Sequence, residues 1–157
     1  MGKEMRRKDR LVTEEKAREI VEKTEYGMLC TTGSDGYPYA IAVSHVLHEN
    51  CIYFHCALEG RKLDNIKDNP KVSMSFVSKA EVDQGEYTVR YESAVAVGIA
   101  KMIDDEEEKM LALKLICERY SPDMLANHLD YIQPRLKYTG VCRIDMESIS
   151  GKVNSRK

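Results

Sequence analysis

DGYPYAIAVSHVLHENCIYFHCALEGRKLDNIKDNP, residues 35 to 70, is the stretch that decides the fold. From residue 39 to residue 48 bulky and small side chains alternate, as they do along a β-strand with one face in a core. The bulky series is Tyr39, Ile41, Val43, His45 and Leu47, and the opposite series is Ala40, Ala42, Ser44, Val46 and His48. Glu49 and Asn50 predict a turn into a second strand, Cys51 to Cys56. The stretch therefore predicts a β-hairpin with one bulky and one small face.

A two-residue turn also fixes which residues of the hairpin face each other. It places Ser44 opposite His55 and His45 opposite Phe54. The small face then carries two small residues flanked by two rings: Ala42, Ser44, Tyr53 and His55. Such a surface leaves room for something planar.

The end of the stretch has the features of an anion site. Leu63 and Ile66 are spaced as i, i+3, which predicts a short helix beginning near Gly60. Free backbone N–H groups at a helix start, together with the cations Arg61 and Lys62, suit a phosphate group. The alternative is that Arg61 and Lys62 form an ordinary solvated pair. The position directly after the aromatic strand favours the anion site.

Composition excludes several classes of function. The chain has 157 residues and a formal net charge of -2, so no basic excess attracts nucleic acid. No stretch approaches the roughly 20 apolar residues of a membrane helix. The five cysteines form no CxxC pair, which favours a reducing, cytoplasmic setting. We expect one domain over residues 1–157, with 1–12 and 152–157 loosely ordered, and neither nucleic acid nor membrane as a partner.

The pattern of elements predicts a mainly β protein with peripheral helices, of the α+β kind. Thr13 is a good N-cap for a first helix that ends near Thr24, and Asp104 caps another. Six strands are expected, near residues 28–32, 39–48, 51–56, 71–78, 87–103 and 138–146. Gly98, inside the longest strand, indicates a bulge or a tight bend. Because single helices interrupt the strands without a βαβ alternation, we predict an antiparallel six-stranded barrel, closed or half open.

The histidines of the hairpin raise the question of a metal site. His45 and His55 point to opposite faces, and His48 lies at the turn, so we expect no metal. His45 is most simply a core histidine. His55 lies on the small face beside the anion site, where it is either packed and hydrogen-bonded or functional. The strand tyrosines could stack on a ring, although packing is the ordinary role of tyrosine in strands.

Three blocks of sequence resemble a known superfamily. These are PYAIAVSHV from Pro38, YFHCALEGRKLDNIKDNPKVSMSF from Tyr53 and YTVRYESAVAVGIAKMI from Tyr87. They resemble the pyridoxamine 5′-phosphate oxidase-like, FMN-binding split β-barrel proteins, and most of all the nitroimidazole-resistance (Nim) type. The likeness covers most of the chain and implies a homodimer with a flavin, usually FMN, at the subunit interface.

The same resemblance implies roles for individual residues. Arg61 and Lys62 would hold the flavin phosphate, and His55 would lie near the substrate side of the ring. Two strands would lie along the isoalloxazine, the first through Val43 and Ser44 and the second through Tyr53, Phe54 and His55. A third block would close the site with Tyr91, Glu92 and Ser93. Arg135, Lys137 and Tyr138 are candidates to cross to the partner.

Three hypotheses for function follow. The first is a flavin-dependent oxidoreductase, with FMN or alternatively FAD, that reduces a small organic acceptor such as a nitroaromatic with electrons from NAD(P)H. His55 would then donate a proton to the substrate or orient it, as the catalytic residue. The second is a flavin or haem carrier or sensor of the same fold, and the third is an interaction domain with an empty site.

Overall fold

The computed structural model describes residues 5–123 and 128–155, and its architecture is one antiparallel sheet with helices packed against it. The sheet has seven strands in the order β2-β1-β5-β6-β7-β4-β3. Their bounds are β1 Tyr26–Thr32, β2 Pro38–Ser44, β3 Val46–His48, β4 Cys51–Cys56, β5 Lys71–Asp83, β6 Thr88–Met102 and β7 Gly140–Asn154. The mainly β class with peripheral helices is confirmed.

The expected count of six strands is wrong because the predicted strand over 39–48 is divided at His45. The backbone N–H of His45 donates to the hydroxyl of Tyr120 over 3.0 Å, and this hydroxyl donates to the carbonyl of His45 over 2.8 Å. A side chain thus replaces the neighbouring strand at this residue. β2 pairs with β1, whereas β3 pairs with β4.

The predicted turn register is confirmed where the hairpin is paired. Val46 lies opposite Tyr53, and His48 lies opposite Cys51. The two edge strands of the sheet, β2 and β3, follow each other in the chain with only His45 between them. The sheet must therefore curl until its edges meet at His45. No ladder joins β2 to β3 in the described part of the chain, so the barrel stays split.

In the described part of the chain, four α-helices accompany the sheet: α1 Glu14–Lys23, α2 Arg61–Asp68, α3 Glu106–Tyr120 and α4 His128–Ile132. A 3-10 segment, Gln133–Tyr138, follows α4 directly. Thr13 caps α1 as predicted, with its hydroxyl accepting from the N–H of Lys16 at 3.2 Å. The cap of α3 is Asp105 and not Asp104, since the Asp105 carboxylate accepts from the N–H of Glu108 at 2.8 Å. None of the helices that the structure describes has the length and apolar composition needed to cross a bilayer.

Two apolar clusters lie on opposite faces of the sheet. The inner cluster fills the curl and is closed by α1; it includes Ile20, Leu29, Ile52, Phe54, Phe76 and Ile144. The outer cluster lies beneath α3 and includes Val46, Tyr53, Leu113, Ile116, Ile132 and Val141. The two clusters cover opposite faces of β4. On the outer face, α3 shields from solvent only the part of the strand that lies beneath it.

His45 is a core histidine, as expected. It is fully buried, its Nε2 lies 3.0 Å from the carbonyl oxygen of Val21, and its ring centroid lies 4.8 Å from that of Phe76. Desolvation by burial lowers the pKa of His45 to about 4.

Gly98 marks a bulge, as predicted. The register of β6 against β7 shifts between Val97 and Gly98. A side chain at Gly98 would place its Cβ within 3.0 Å of the backbone of Asp145 and Met146, so the two strands approach too closely for any larger residue. Beyond the bulge β7 continues to Asn154, and Lys152 bridges to Leu11.

Candidate functional site

The small face of β2 is the uncovered wall that the sequence predicts. Ala40, Ala42 and Ser44 are exposed, whereas Val43 on the opposite face is half-buried against the inner core. We refer to Ala40, Ala42 and Ser44 as the β2 wall. Nothing larger than a hydroxymethyl group projects from it, so a flat group could approach the strand closely.

Only part of the predicted ligand-facing surface of β4 is open. The side chains of Tyr53 and Phe54 are 5% and 0% exposed, and Phe54 points into the inner core. These two residues, predicted to lie along a flavin ring, could therefore line a ligand only through their backbone. His55, by contrast, is exposed, and its imidazole has no hydrogen bond among the described residues.

α3 decides where the small face ends. The hydroxyl of Tyr53 donates to Glu108 at 2.9 Å, and Arg143 contacts the same carboxylate at 2.6 Å. Burial, with the Glu108 carboxylate as a second cause, raises the pKa of Tyr53 to about 12. These bonds hold the start of α3 over Tyr53. The small face is therefore covered by α3 at Tyr53 and exposed to solvent at His55.

A cleft of about 370 Å³ lies where the wall meets the helices. Ser44 and His55 line it from the sheet, and Arg135 and Thr139 line it from the segment after α4. The rest of its lining is mostly apolar: Leu113, Ile116, Cys117, Tyr120, Ser121, Tyr131 and Ile132. An apolar cleft with a few convergent polar groups is the usual form of a small-molecule site. We call it the His55 cleft.

The helix predicted to begin near Gly60 is present as α2. Gly60 occupies the N-cap position with φ of 129°, which a residue with a Cβ rarely adopts. No side chain caps the helix, so its first N–H groups are not bonded by a capping group. Arg61 and Lys62 follow at once. Lys62 is half-buried, and within the described ranges it has no ion pair.

Arg61 already has partners on the neighbouring turn. Its guanidinium lies 2.9 Å from the carboxylate of Asp35 and 4.9 Å from the centre of the Tyr39 ring. The side chains of Arg61 and Asp35 are each about half exposed, so the ion pair between them is weak and can open. α2 itself is held firmly, because the buried amide of Asn65 donates to the Thr31 hydroxyl at 2.9 Å.

The structure does not bring the predicted block Tyr91, Glu92 and Ser93 to the His55 cleft. Ile103, whose N–H donates to the carbonyl of Val141 opposite His55, lies ten residues after Ser93. At roughly 3.3 Å per residue that is about 30 Å along the strand. Tyr91 instead accepts a bond from Arg10 at 3.1 Å, and Glu92 accepts one from Ser78 at 3.2 Å. In a single chain these predicted site residues form a separate group.

The outer face of the sheet beyond α3 is continuous and uncharged. One row across five strands is Ala42, Met28, Ser75, Val95 and Ser150. The next row is Ala40, Cys30, Ser73, Val97 and Ser148. We call these ten residues the uncharged face. Met28, Val95 and Val97 are exposed on it, and the β2 wall forms its edge.

The helical side of the His55 cleft is what sequence reasoning missed. Leu113, Ile116 and Tyr120 line the cleft from α3. The contact between Tyr131 and Arg135 could have been predicted from the sequence, because an aromatic residue and an arginine four residues apart meet on one helical face. Arg135, a candidate to cross to a partner, lines the cleft of its own chain, and its contact with a partner stays a prediction.

Metal ligands are not assembled in the described residues, where no group of three or more His, Cys, Asp or Glu side chains could hold an ion. His45 and His55 are separated by the sheet as predicted, since His45 is buried in the core and His55 is exposed.

Comparison with protein families gives one match that spans nearly the whole chain. Residues 13–153 match the family model described as pyridoxamine 5′-phosphate oxidase. Among curated proteins, none matches this sequence at a significant level.

Solved structures share the fold at low sequence identity. A proposed 5-nitroimidazole antibiotic resistance protein from Bacteroides thetaiotaomicron is 24% identical, with a TM-score of 0.81 over 91% of this chain and 86% of that one. A flavocytochrome from Azotobacter vinelandii is 15% identical, with a TM-score of 0.79 over 98% and 73%. An FAD-binding protein from Mesorhizobium loti is 21% identical, with a TM-score of 0.65 over 93% and 98%.

Proposed function

Because this chain belongs to the pyridoxamine 5′-phosphate oxidase family, we propose that it binds a flavin and uses it to reduce a small organic acceptor, such as a nitroaromatic compound. One observation carries the proposal: strand β2 runs from the anion site to the His55 cleft, and its β2 wall is exposed along that length. At one end of β2 the Tyr39 ring contacts Arg61, and at the other Ser44 lines the cleft. Five residues, roughly 16 Å of strand, separate the two.

The anion site favours FMN over FAD as the flavin. Two adjacent cations at an uncapped helix start match a single terminal phosphate. The solvated pair between Arg61 and Asp35 can open, since an exposed ion pair is worth about 1 kcal/mol or less. A phosphate that receives bonds from Arg61, Lys62 and the helix N–H groups would replace Asp35 as the partner of Arg61.

The β2 wall and the His55 cleft would bind different molecules. The bound flavin would supply the redox chemistry, which no side chain of this protein supplies by itself. The β2 wall would hold the flat ring system, and the cleft would hold the acceptor next to it. His55, which faces the cleft and has no competing bond, would donate a proton to the reduced acceptor.

A second copy of the chain would complete the site. In one chain the block Tyr91 to Ser93 lies far from His55, and the β2 wall is open to solvent along the edge of the uncharged face. A flat ring on the wall would remain half-solvated unless something covers it. We propose a homodimer in which the partner packs on the uncharged face and brings its own Tyr91, Glu92 and Ser93 to the flavin.

The test is a titration of the purified protein with FMN and with riboflavin, followed by absorbance and fluorescence. We expect a two-banded flavin spectrum and tighter binding of FMN, because riboflavin lacks the phosphate. Arg61→Gln and Lys62→Gln should each weaken FMN binding about tenfold or more and leave riboflavin binding nearly unchanged. Lys67→Gln, in the last turn of the same helix, is the matched control.

Two results would count against the proposal. A colourless protein that also ignores added FMN would overturn flavin binding altogether. Equal losses of FMN affinity in Lys62→Gln and Lys67→Gln would show that the phosphate senses only general charge, and the anion site at Gly60 would be rejected.

A further inference from the structure

We propose that the His55 cleft selects an aromatic carboxylate, whose carboxylate group is bound by Arg135. The inference deepens the proposed function, on which it rests for the reaction, and it names the class of acceptor. It rests on three observations about the cleft: an arginine without an acidic partner, a ring that fixes its direction, and apolar walls around the remaining space.

Arg135 is a cation with no carboxylate to neutralise it. Among the described residues the only hydrogen-bond partner of its guanidinium is the carbonyl oxygen of Tyr131, to which Nη1 donates over 2.9 Å. The guanidinium has five N–H donors, so the others remain available to a ligand. Arg61, Arg90 and Arg143, by contrast, each form an ion pair with an acidic side chain.

The guanidinium is held in a preferred direction by an aromatic ring before any ligand arrives. Its central carbon lies 3.9 Å from the centre of the Tyr131 ring, the shortest of the five cation–π contacts in the described structure. Stacking on a ring orients the planar fork and reduces the entropy lost when it binds a carboxylate. Tyr131 is therefore part of the receptor, although its hydroxyl has no role in it.

The rest of the cleft suits one aromatic ring. Leu113, Ile116 and Ile132 supply apolar surface, and the volume of about 370 Å³ is near the lower limit for small-molecule sites. A ring held by these walls, with its carboxylate on Arg135, would present its other edge to Ser44 and His55. That edge is where the β2 wall, and the proposed flavin, begin.

The charge of the site favours a carboxylate over a phosphate. The cleft is lined by one cation, and a planar guanidinium meets a planar carboxylate through two parallel bonds. A neutral nitroimidazole would leave Arg135 without a partner, so we expect nitroaromatic acids to be better acceptors than neutral nitroaromatics of the same size.

The experiment is a ligand-observed NMR titration of the full-length protein with benzoate and with benzamide, its neutral counterpart. We expect benzoate to bind about tenfold more tightly or better, since a bond to a charged group carries the difference. Arg135→Gln should remove that preference, and Arg135→Lys should retain part of it. The control is Lys137→Gln, which removes an equal charge two residues from Arg135. Lys137 lies outside the cleft, and its ammonium nitrogen is 4.8 Å from the centre of the Tyr138 ring.

The outcomes separate this inference from flavin binding. The titration needs neither flavin nor turnover, and the flavin content is read from absorbance beforehand. A colourless protein that still prefers benzoate through Arg135 would uphold the cleft and reject the flavin. Equal affinity for benzoate and benzamide, or a preference that survives in Arg135→Gln or disappears in Lys137→Gln, would overturn the inference in either case.

Discussion

Two histidines ten residues apart show how much a residue's role depends on the face it occupies. His45 is fully buried, and its imidazole is bonded to the carbonyl of Val21. His55 is exposed at the cleft and has no such bond among the described residues. Both were candidate functional groups by residue type. Only His55 is placed to meet a ligand, and the two residues therefore predict different experiments.

His55→Ala should leave flavin binding unchanged and lower turnover. No hydrogen bond or ion pair holds the His55 side chain among the described residues, so its loss should remove mainly the proposed proton donor, which typically contributes 10²- to 10⁴-fold to a rate. The measurement is NAD(P)H oxidation with 4-nitrobenzoate as acceptor, with the flavin content checked for each sample. Full turnover in the variant would reject the catalytic role. A wild-type protein that binds flavin but oxidises no NAD(P)H would favour the carrier or sensor.

His45 should make the protein less stable as the pH falls below about 6.5. Because burial lowers its folded-state pKa to about 4, the unfolded chain takes up a proton that the folded state does not. Its contribution is complete above the unfolded pKa of about 6.5 and is lost between there and about 4. Urea unfolding should show about 2 kcal/mol of this loss by about pH 5.

The control for this prediction is the half-buried histidine at the turn. His48→Gln should keep the extra loss of stability, whereas His45→Gln should lack it. If His45→Gln does not fold, an NMR titration of the wild-type imidazole serves instead. A ring of His45 that protonates near pH 6.5 in the folded protein would show the prediction to be wrong.

At the scale of the element, α3 determines the shape of the cleft by fixing both of its ends to the sheet. Near its start, Glu108 accepts bonds from Tyr53 and Arg143. At its end, Arg119 donates to the carbonyl of Thr24 at 2.6 Å, and Tyr120 bonds the break between β2 and β3. One helix thus covers half of the small face, ends strand pairing at His45 and forms the apolar wall of the cleft.

For the molecule as a whole, the uncharged face is the feature that a monomer does not explain. Ten residues in two rows across five strands include no charge, although charged residues are 32% of the chain. Exposed apolar residues grouped on one surface, as Met28, Val95 and Val97 are here, usually mark an interaction site. The face could also pack against itself. When two copies meet about a two-fold axis, the small and apolar residues of one copy would lie against the same residues of the other.

Val95→Glu should therefore convert a dimer into a monomer and weaken flavin binding. Val95 lies in the middle of a row and is 41% exposed, so a glutamate there would bury a charge in the interface but cost little in the monomer. The measurement is sedimentation equilibrium together with the FMN titration. Leu111→Glu on α3, where the leucine is 42% exposed, is the control and should stay dimeric.

A wild-type monomer would remove the proposed role of the partner's Tyr91 to Ser93. A Val95→Glu variant that remains a dimer would locate the interface elsewhere. Loss of the dimer with unchanged FMN affinity would separate assembly from cofactor binding, and the flavin would then lie within one chain.

The sequence by itself determined whatever depends on neighbours along the chain. Alternation gave the two faces of the hairpin, a two-residue turn set the register of Val46 against Tyr53, and Gly98 marked its bulge. The caps and the helix start at Gly60 follow from the same local rules, with an error of one residue at Asp105. These features could be predicted because backbone geometry has short, fixed periods.

Only the tertiary structure decided what depends on contacts distant in sequence. The hydroxyl of Tyr120, 75 residues from His45, divides one predicted strand into two. α3 covers Tyr53 but leaves His55 open, and the segment after α4 brings Arg135 to the same cleft. No local pattern encodes these distances, since they arise when a curled sheet and its helices pack together. The sequence supplied the chemistry of the candidate site, and packing decided which groups meet.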